Sequence, residues 1–293
     1  TYLREKGYGL YDLRTEFDTQ RKIYDAFNGR NDENSVWIRD GLCRLVANVL
    51  FVEDSRWPNM FHPRVQAYNA LVFEALTSEE RQAFMTIYND YFYERHNEMW
   101  GALAYRKLSM VLERTNMLVT AEDLGVLPDC VQPTLDALRI LTLEVQTLPK
   151  QHGLEFAHLE ANPYLSVATI STHDMPPLRL WWQERPEAAQ HYYRDRMQKE
   201  GRPPVALTTT LAEEIVSRHL YSPSMLCLLS LQDWLAVDAE MRNPDPRSER
   251  INIPGDCYNR WSYRMHVNIE QLIADEQLNK KLRTMVERSK RNV

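Results

Sequence analysis

From residue 117 onward, the chain alternates short apolar runs with longer amphipathic stretches. The apolar runs predict four strands, at 117–121, 141–146, 167–171 and 225–231. The amphipathic stretches predict helices at 128–139, 177–197, 211–219 and 264–290. Because strands that alternate with helices pair in parallel, this part of the chain is predicted to form an α/β fold around a parallel sheet.

The first part of the chain has a different pattern. Residues 1–35 are polar and interrupted by glycines. The segment Thr77-Ser-Glu-Glu80 matches a capping box, in which the threonine oxygen and the glutamate side chain satisfy free amides of a first helical turn. From there to Thr115 there is no proline, which predicts one long helix or two abutting helices. We therefore predict a mainly helical segment over 1–115, followed by the α/β region over 116–293.

Two of the predicted strands end on a carboxylate. Glu122 follows the first strand, and Asp174 follows the third strand and His173. Barrels of parallel strands carry their catalytic residues at the carboxyl ends of the strands, and cleavage of a glycosidic bond uses two carboxylates around one site. We expect partial burial of Glu122, which would raise its pKa as a general acid requires. The sequence therefore favours a carbohydrate-active enzyme.

Other interpretations of these acids stay open from the residues alone. Glu122 fits a surface residue that caps the helix near Pro128, and Thr172 with Asp174 fits a cap on the helix that begins near Pro177. Adjacent His and Asp residues also occur in metal-dependent phosphohydrolases. That interpretation is weak, because His152 and His158 lie six residues apart and do not share a helical face. We predict no metal and no cofactor.

Further polar residues follow the fourth predicted strand. Gln232 and Asp233 end that strand, which would place them at the mouth of a barrel. Arg250, Asn252 and Trp261 lie in a loop rich in glycine and proline, where binding sites are often built. A tryptophan suits the apolar face of a sugar ring, and Asn and Arg suit its hydroxyl edge. These five residues are predicted to bind substrate.

Composition and charge exclude several classes of protein. Hydrophobic residues make up 44% of the chain and the net charge is −6, so the chain is globular and an interaction with nucleic acid is not expected. No apolar run reaches the roughly 18 residues of a membrane span. Cys43, Cys130, Cys227 and Cys257 are widely spaced, which predicts isolated thiols, and the polar, charged first residues predict that there is no leader peptide. These features predict a cytoplasmic location.

Four motifs in order resemble those of the 4-alpha-glucanotransferases, which are the amylomaltases and disproportionating enzymes of glycoside hydrolase family 77. The motifs are Ala-Glu-Asp-Leu-Gly (121–125), Thr-His-Asp (172–174), Leu-Gln-Asp-Trp-Leu-Ala (231–236), and Arg-Ile-Asn-Ile-Pro-Gly with Asn-Arg-Trp-Ser-Tyr-Arg (250–264). Arg-His-Asn-Glu-Met-Trp (95–100) and the run 172–184 resemble the long multidomain branch found in plant cytosol and some bacteria. The resemblance covers about residues 80 to 265.

The resemblance implies a retaining enzyme on a (β/α)8 barrel that transfers α-1,4-glucan segments between malto-oligosaccharides, maltose, glucose or a larger α-glucan. Glu122 matches the acid/base of the family. Asp174 matches the acid that stabilises the oxocarbenium-like transition state, and His173 matches a histidine that contacts the same sugar ring. Arg250 and Asn252 match a loop near the substrate groove.

The family's nucleophile motif, of the type Arg-Ile-Asp-His, has no counterpart in the sequence. Asp40, Asp54 and Asp90 do not match its context, and four strands are predicted where a complete barrel has eight. We therefore expect the C-terminal half of a barrel preceded by a mainly helical segment, with the N-terminal half as a missing partner. Such a fragment would be inactive alone. The alternative is a non-catalytic carbohydrate-binding or helical interaction module on the same scaffold.

Overall fold

The computed structural model describes residues 2–125, 127–151, 153–256 and 258–291. His152 and Cys257, which enter the sequence argument above, lie outside these ranges. The chain divides into two compact units, Thr1–Trp100 and Gly101–Val293. Each unit has its own apolar cluster or clusters.

The first unit combines helices with two short hairpins. Its strands are β1 (Leu3–Gly7), β2 (Leu10–Leu13), β3 (Phe51–Glu53) and β4 (Phe61–Pro63), with β1 antiparallel to β2 and β3 antiparallel to β4. Its helices are α1 (Gln20–Ala26), α2 (Glu33–Val46), α3 (Leu71–Glu74), α4 (Ser78–Asn89) and the beginning of α5 (His96–Leu112). Short 3-10 turns cover Thr15–Phe17 and Ala67–Asn69.

The predicted capping box is confirmed at the start of α4. The Thr77 hydroxyl accepts a hydrogen bond from the Glu80 amide at 3.3 Å, and the Glu80 carboxylate accepts one from the Thr77 amide at 2.9 Å. A π-helical segment, Asp90–Arg95, connects α4 to α5. The prediction of one long helix or two abutting helices is therefore confirmed, since α4 and α5 follow each other through this π-helical segment up to Leu112.

The second unit has an α/β organisation. Its remaining helices are α6 (Val131–Leu138), α7 (Leu178–Glu184), α8 (Pro186–His191), α9 (Thr209–Leu220), α10 (Leu231–Leu235), α11 (Ile269–Ala274) and α12 (Glu276–Arg288). Its strands are β5 (Thr142–Val145), β6 (Ser166–Thr169) and β7 (Leu226–Cys227). A π-helical segment covers Tyr192–Arg196, and 3-10 turns cover Leu159–Ala161 and Pro246–Glu249.

The three strands form a parallel sheet in the order β5-β6-β7. Strand β6 is buried along its whole length, as expected for a central parallel strand covered on both faces. Helices α7, α9, α10 and α12 enclose an apolar core that includes Trp182, Ile215, Val216, Leu235 and Leu278. The prediction of an α/β fold with a parallel sheet is confirmed.

The predicted strand 117–121 is wrong in its extent. Only Thr120 pairs, by an isolated parallel bridge to Leu141, and Met117 and Leu118 are 75% and 55% exposed. Pairing stops because the Leu143 amide, the next donor along the ladder, donates to the side chain of Asp123 at 2.8 Å instead of to a backbone carbonyl. The segment is therefore the edge of the sheet, with a paired neighbour on one side only within the described residues.

Two further boundaries differ from the sequence prediction. The run 225–231 forms only the short strand β7, because Ser230 caps helix α10 by accepting a hydrogen bond from the Asp233 amide at 3.1 Å. The predicted helix 264–290 is two helices, since Asp275 ends α11 and caps α12 through the Leu278 amide at 2.9 Å. Ser230 and Asp275 are N-cap residues, and a prediction from apolar periodicity alone does not detect helix starts of this kind.

Two structural observations concern membrane-spanning helices and the state of the cysteines. Among the described residues, no helix is both long and apolar enough to cross a bilayer. Cys43 and Cys227 are free thiols in the structure.

Candidate active site

A cavity of about 300 Å³ lies at the carboxyl ends of the parallel segments. It is lined by Thr120, Ala121, Glu122, Leu143, Val167, Thr169, Ser171, Thr172 and Leu228. Glu122 is exposed there and has no hydrogen bond or ion pair among the described residues, so the predicted desolvation of its carboxylate is wrong for this chain. The reason is its position at the sheet edge, where the segment pairs with β-structure only on the Leu141 side within the described residues.

Behind Glu122, a network of charges that the sequence argument missed fixes the backbone. Asp123 is buried, and its carboxylate accepts hydrogen bonds from the Leu143 amide at 2.8 Å and from Lys150 Nζ at 2.6 Å. The same ammonium group lies 2.7 Å from Glu144 Oε1. The turn after Glu122 is therefore tied to β5 by ionic hydrogen bonds, which hold the exposed carboxylate toward the cavity.

A second cluster forms around Asp174. The Asn252 side-chain amide donates to Asp174 Oδ1 at 2.6 Å, and the Asn259 side-chain amide donates to Asn252 Oδ1 at 2.5 Å. His173 Nε2 lies 3.5 Å from Asp174 Oδ1, and the His173 ring centroid lies 5.0 Å from that of Trp261. The structure thus brings together four of the predicted site residues, with Asn259 of the same polar loop beside them.

The loop that carries Trp261 has an uncommon backbone conformation. Trp261 has φ 47°, in the left-handed region that a bulky residue seldom adopts, at a cost of about 1 kcal/mol. Trp261 is 57% exposed, and its ring lies beside His173, as a stacking surface for a ligand would. Arg250 lies at the start of this loop and pairs with Glu184, with the two groups 3.1 Å apart. That pairing leaves the Arg250 guanidinium half-buried against α7.

Gln232 and Asp233 do not lie at a strand end, contrary to the prediction. Both belong to α10, where Gln232 is 5% and Asp233 0% exposed. The Gln232 side chain donates to the backbone carbonyl of Glu249 at 3.2 Å, and Asp233 accepts hydrogen bonds from the chain around Asp174. Their burial places them beneath the Asp174 cluster instead of on its surface.

The alternative interpretations of the acids find little support in these contacts. The amide of Leu178, at the beginning of α7, donates to Asp233, and neither Thr172 nor Asp174 caps this helix. The Thr172 hydroxyl accepts from the Asp174 amide at 3.3 Å. The described residues hold no group of three or more His, Cys, Asp or Glu side chains arranged to bind a metal ion.

A buried ion pair that the sequence argument also missed lies beside this cluster. Arg179 Nη1 donates to Glu249 Oε1 at 3.0 Å, and the two side chains are 8% and 2% exposed. Within the described residues, Glu249 Oε2 is buried without a hydrogen-bond partner. Burial raises the pKa of the Glu249 carboxyl to about 7, although Arg179 opposes the rise; nearby Asp233 adds to it.

This carboxyl should make stability depend on pH. In the unfolded chain it titrates near its ordinary pKa, so its contribution is complete at acid pH and is lost as pH rises through about 7. We expect the free energy of unfolding of the second unit to fall by on the order of 2 kcal/mol between pH 5 and pH 8 from this group. In Glu249→Gln that component is absent. Urea unfolding of both proteins at the two pH values measures it, and equal pH dependence in both would contradict it.

The family profile described as 4-alpha-glucanotransferase matches residues 34–270. The 4-alpha-glucanotransferase DPE2 of Oryza sativa subsp. japonica is 29% identical over 99% of this chain and 31% of its own length. The 4-alpha-glucanotransferase of Chlamydia muridarum is 32% identical over 61% of this chain and 34% of its own length. The chain spans about a third of the length of these relatives.

A solved structure is also similar over part of the chain. Amylomaltase from Streptococcus agalactiae in complex with acarbose superposes with a TM-score of 0.48 and 16% sequence identity, over 66% of this chain and 35% of that protein.

Proposed function

Because the chain belongs to the 4-alpha-glucanotransferase family, we propose that it carries part of the catalytic barrel of an enzyme that transfers α-1,4-glucan segments between maltodextrins and glucose. The observation that carries this proposal is the cluster in which Asn252 holds Asp174 at 2.6 Å, beside His173 and Trp261. A carboxylate with an amide partner, a histidine and an exposed indole ring provides both polar and stacking contacts for one sugar ring.

We propose that residues 116–293 form the second half of a (β/α)8 barrel and that 1–115 is a mainly helical segment leading into it. The support is the order of the parallel segments, in which Thr120, β5, β6 and β7 lie side by side in chain order. Glu122 and Asp174 both follow the carboxyl ends of these segments, where barrel enzymes place their chemistry. The edge at 117–121 is where a preceding strand would pair.

Glu122 is proposed as the acid/base of a retaining double displacement. It protonates the leaving glycosidic oxygen and later takes the proton from the incoming sugar hydroxyl. Its exposure in this chain leaves room for the substrate and for the other half of the barrel.

The residues of the Asp174 cluster are proposed to hold the sugar ring next to the bond that breaks. Asp174 accepts hydrogen bonds from sugar hydroxyls and stabilises the positive charge of the oxocarbenium-like transition state. His173 contacts the same ring, and Trp261 stacks on an apolar sugar face. Arg250 and Asn252 set the loop that closes this side of the groove, through Glu184 and Asp174 respectively.

Binding of maltoheptaose to this chain tests the proposal. We expect measurable binding by titration calorimetry, and we expect Asp174→Ala to weaken it about tenfold, since hydrogen bonds to a charged group contribute about 1.5–3 kcal/mol each. Glu187→Gln, an exposed acid on α8, is the matched control and should bind as the unchanged chain does. Equal affinity in the Asp174→Ala variant would remove this residue from the proposed site.

A further inference from the structure

The segment that carries Asp174 is held at both ends by one buried carboxylate. Asp233 Oδ2 accepts a hydrogen bond from the Ser171 hydroxyl at 3.2 Å, just before the segment 172–177. Asp233 Oδ1 accepts one from the Leu178 amide at 2.9 Å, just after it. Asp233 is 0% exposed, so it cannot reach a ligand in this conformation. Its position sets how far apart the two ends of the segment lie.

The partner of Asp174 is connected to the same helix. Asn252 comes three residues after Glu249, whose backbone carbonyl accepts a hydrogen bond from Gln232 of α10 at 3.2 Å. The Glu249 side chain is held by Arg179, and Arg179 directly follows Leu178. Both sides of the 2.6 Å hydrogen bond between Asn252 and Asp174 therefore depend on contacts with adjacent residues of α10.

Burial of this carboxylate carries an energetic cost. Burial raises the pKa of Asp233 above its ordinary value, although hydrogen bonds from Leu178, Ser230 and Ser171 oppose the rise. No arginine or lysine pairs with Asp233 among the described residues. Because a buried carboxylate without a cation contributes little net stability, its hydrogen bonds to two specific points of the chain indicate a role in geometry.

We propose that Asp233 is a positioning residue, which brackets the segment 172–177 so that Asp174 meets Asn252 and faces the sugar ring. This inference rests on the proposed function, in which Asp174 binds the glucan. Asp233 then acts on the substrate through Asp174, and the prediction that it contacts the substrate directly is replaced by this one.

A double-mutant cycle with maltoheptaose tests the inference. Asp233→Ala should weaken binding about tenfold, and the same change should have no effect when Asp174 is already alanine, because the whole effect passes through Asp174. Asp233→Asn should retain most of the affinity. The asparagine side-chain oxygen can still accept from the backbone amide of Leu178, and its NH2 group can donate to the Ser171 hydroxyl. Equal losses in both backgrounds, or no loss in the unchanged background, would overturn the inference.

A structural readout separates this inference from the proposed function. The Asn252 side-chain amide gives its own NMR signals, which should move toward those of a free amide in Asp233→Ala. If the unchanged chain binds no maltoheptaose, the proposed function fails, and the Asn252 signals still decide the positioning role. Unchanged signals in the variant would overturn it.

Two further variants control for loss of stability. Ser224→Ala removes buried hydrogen bonds to Asn162 and Ser166 at the opposite end of β6, so it should lower stability and leave maltoheptaose affinity unchanged. Ser171→Ala removes only one of the two brackets and serves if Asp233→Ala does not fold. Its effect on affinity should also disappear when Asp174 is alanine, and persistence there would contradict the inference.

Discussion

Glu122→Gln is expected to lower the rate of glucan transfer by about 10²–10⁴-fold in the catalytically competent protein. The amide keeps the shape of the side chain but cannot donate a proton to the leaving oxygen. Because the substitution leaves binding contacts in place, the loss should fall on kcat with KM nearly unchanged. The rate of glucose release from maltotriose, at saturating and limiting substrate, measures both parameters.

The matched control for this variant is Asp129→Asn, which changes an exposed acid a few residues further along the same connection. Its activity should equal that of the unchanged protein. Glu122 is exposed and has no ion pair among the described residues, so Glu122→Gln should unfold at the same urea concentration as the unchanged protein. A loss of activity smaller than tenfold would exclude Glu122 as the acid/base.

Features set by neighbouring residues could be predicted from the sequence. The capping box at Thr77 depends on contacts within four residues, and both of its hydrogen bonds are present. Strand β6 is a run of small and apolar residues, as expected for a strand that is covered on both faces. The family resemblance places Asn252 only in a loop near the substrate groove. Its hydrogen bond to Asp174 could not be predicted from periodicity, since 78 residues separate the two.

Features set by distant residues could not be predicted. The run 117–121 has the composition of a strand, but a strand also needs hydrogen-bonded partners. The Asp123 side chain accepts the hydrogen bond of the Leu143 backbone amide, which would otherwise continue the pairing. Lys150 neutralises Asp123 from 27 residues away, with no local signal. The apolar run that precedes Asp233 predicts a strand that ends there. Ser230 is an N-cap residue, and it is the local signal that could have indicated helix α10.

The sheet edge in front of β5 is the basis of the second large effect. A cavity of about 520 Å³ lined by Lys107, Met110, Val111, Arg114, Thr115 and Met117 lies directly before the bridge at Thr120. Met110, Val111, Met117 and Leu118 are all more than half exposed. Exposed apolar side chains next to an unpaired strand edge are typical of a surface that another strand and its helix cover. We propose the upstream strands of the same barrel as that cover.

Transfer activity should therefore require both halves. The purified chain with maltotriose should release no glucose, because retaining transfer needs a second carboxylate as nucleophile about 5–5.5 Å from the acid/base, and the family motif that supplies it has no match here. Adding the separately expressed upstream half should restore glucose and longer maltodextrins, provided that size-exclusion chromatography detects a complex. The same half with a Glu122→Gln chain should assemble and stay inactive. Activity from the chain alone would place the nucleophile within residues 1–116, and an assembled but silent complex would contradict the split-barrel proposal.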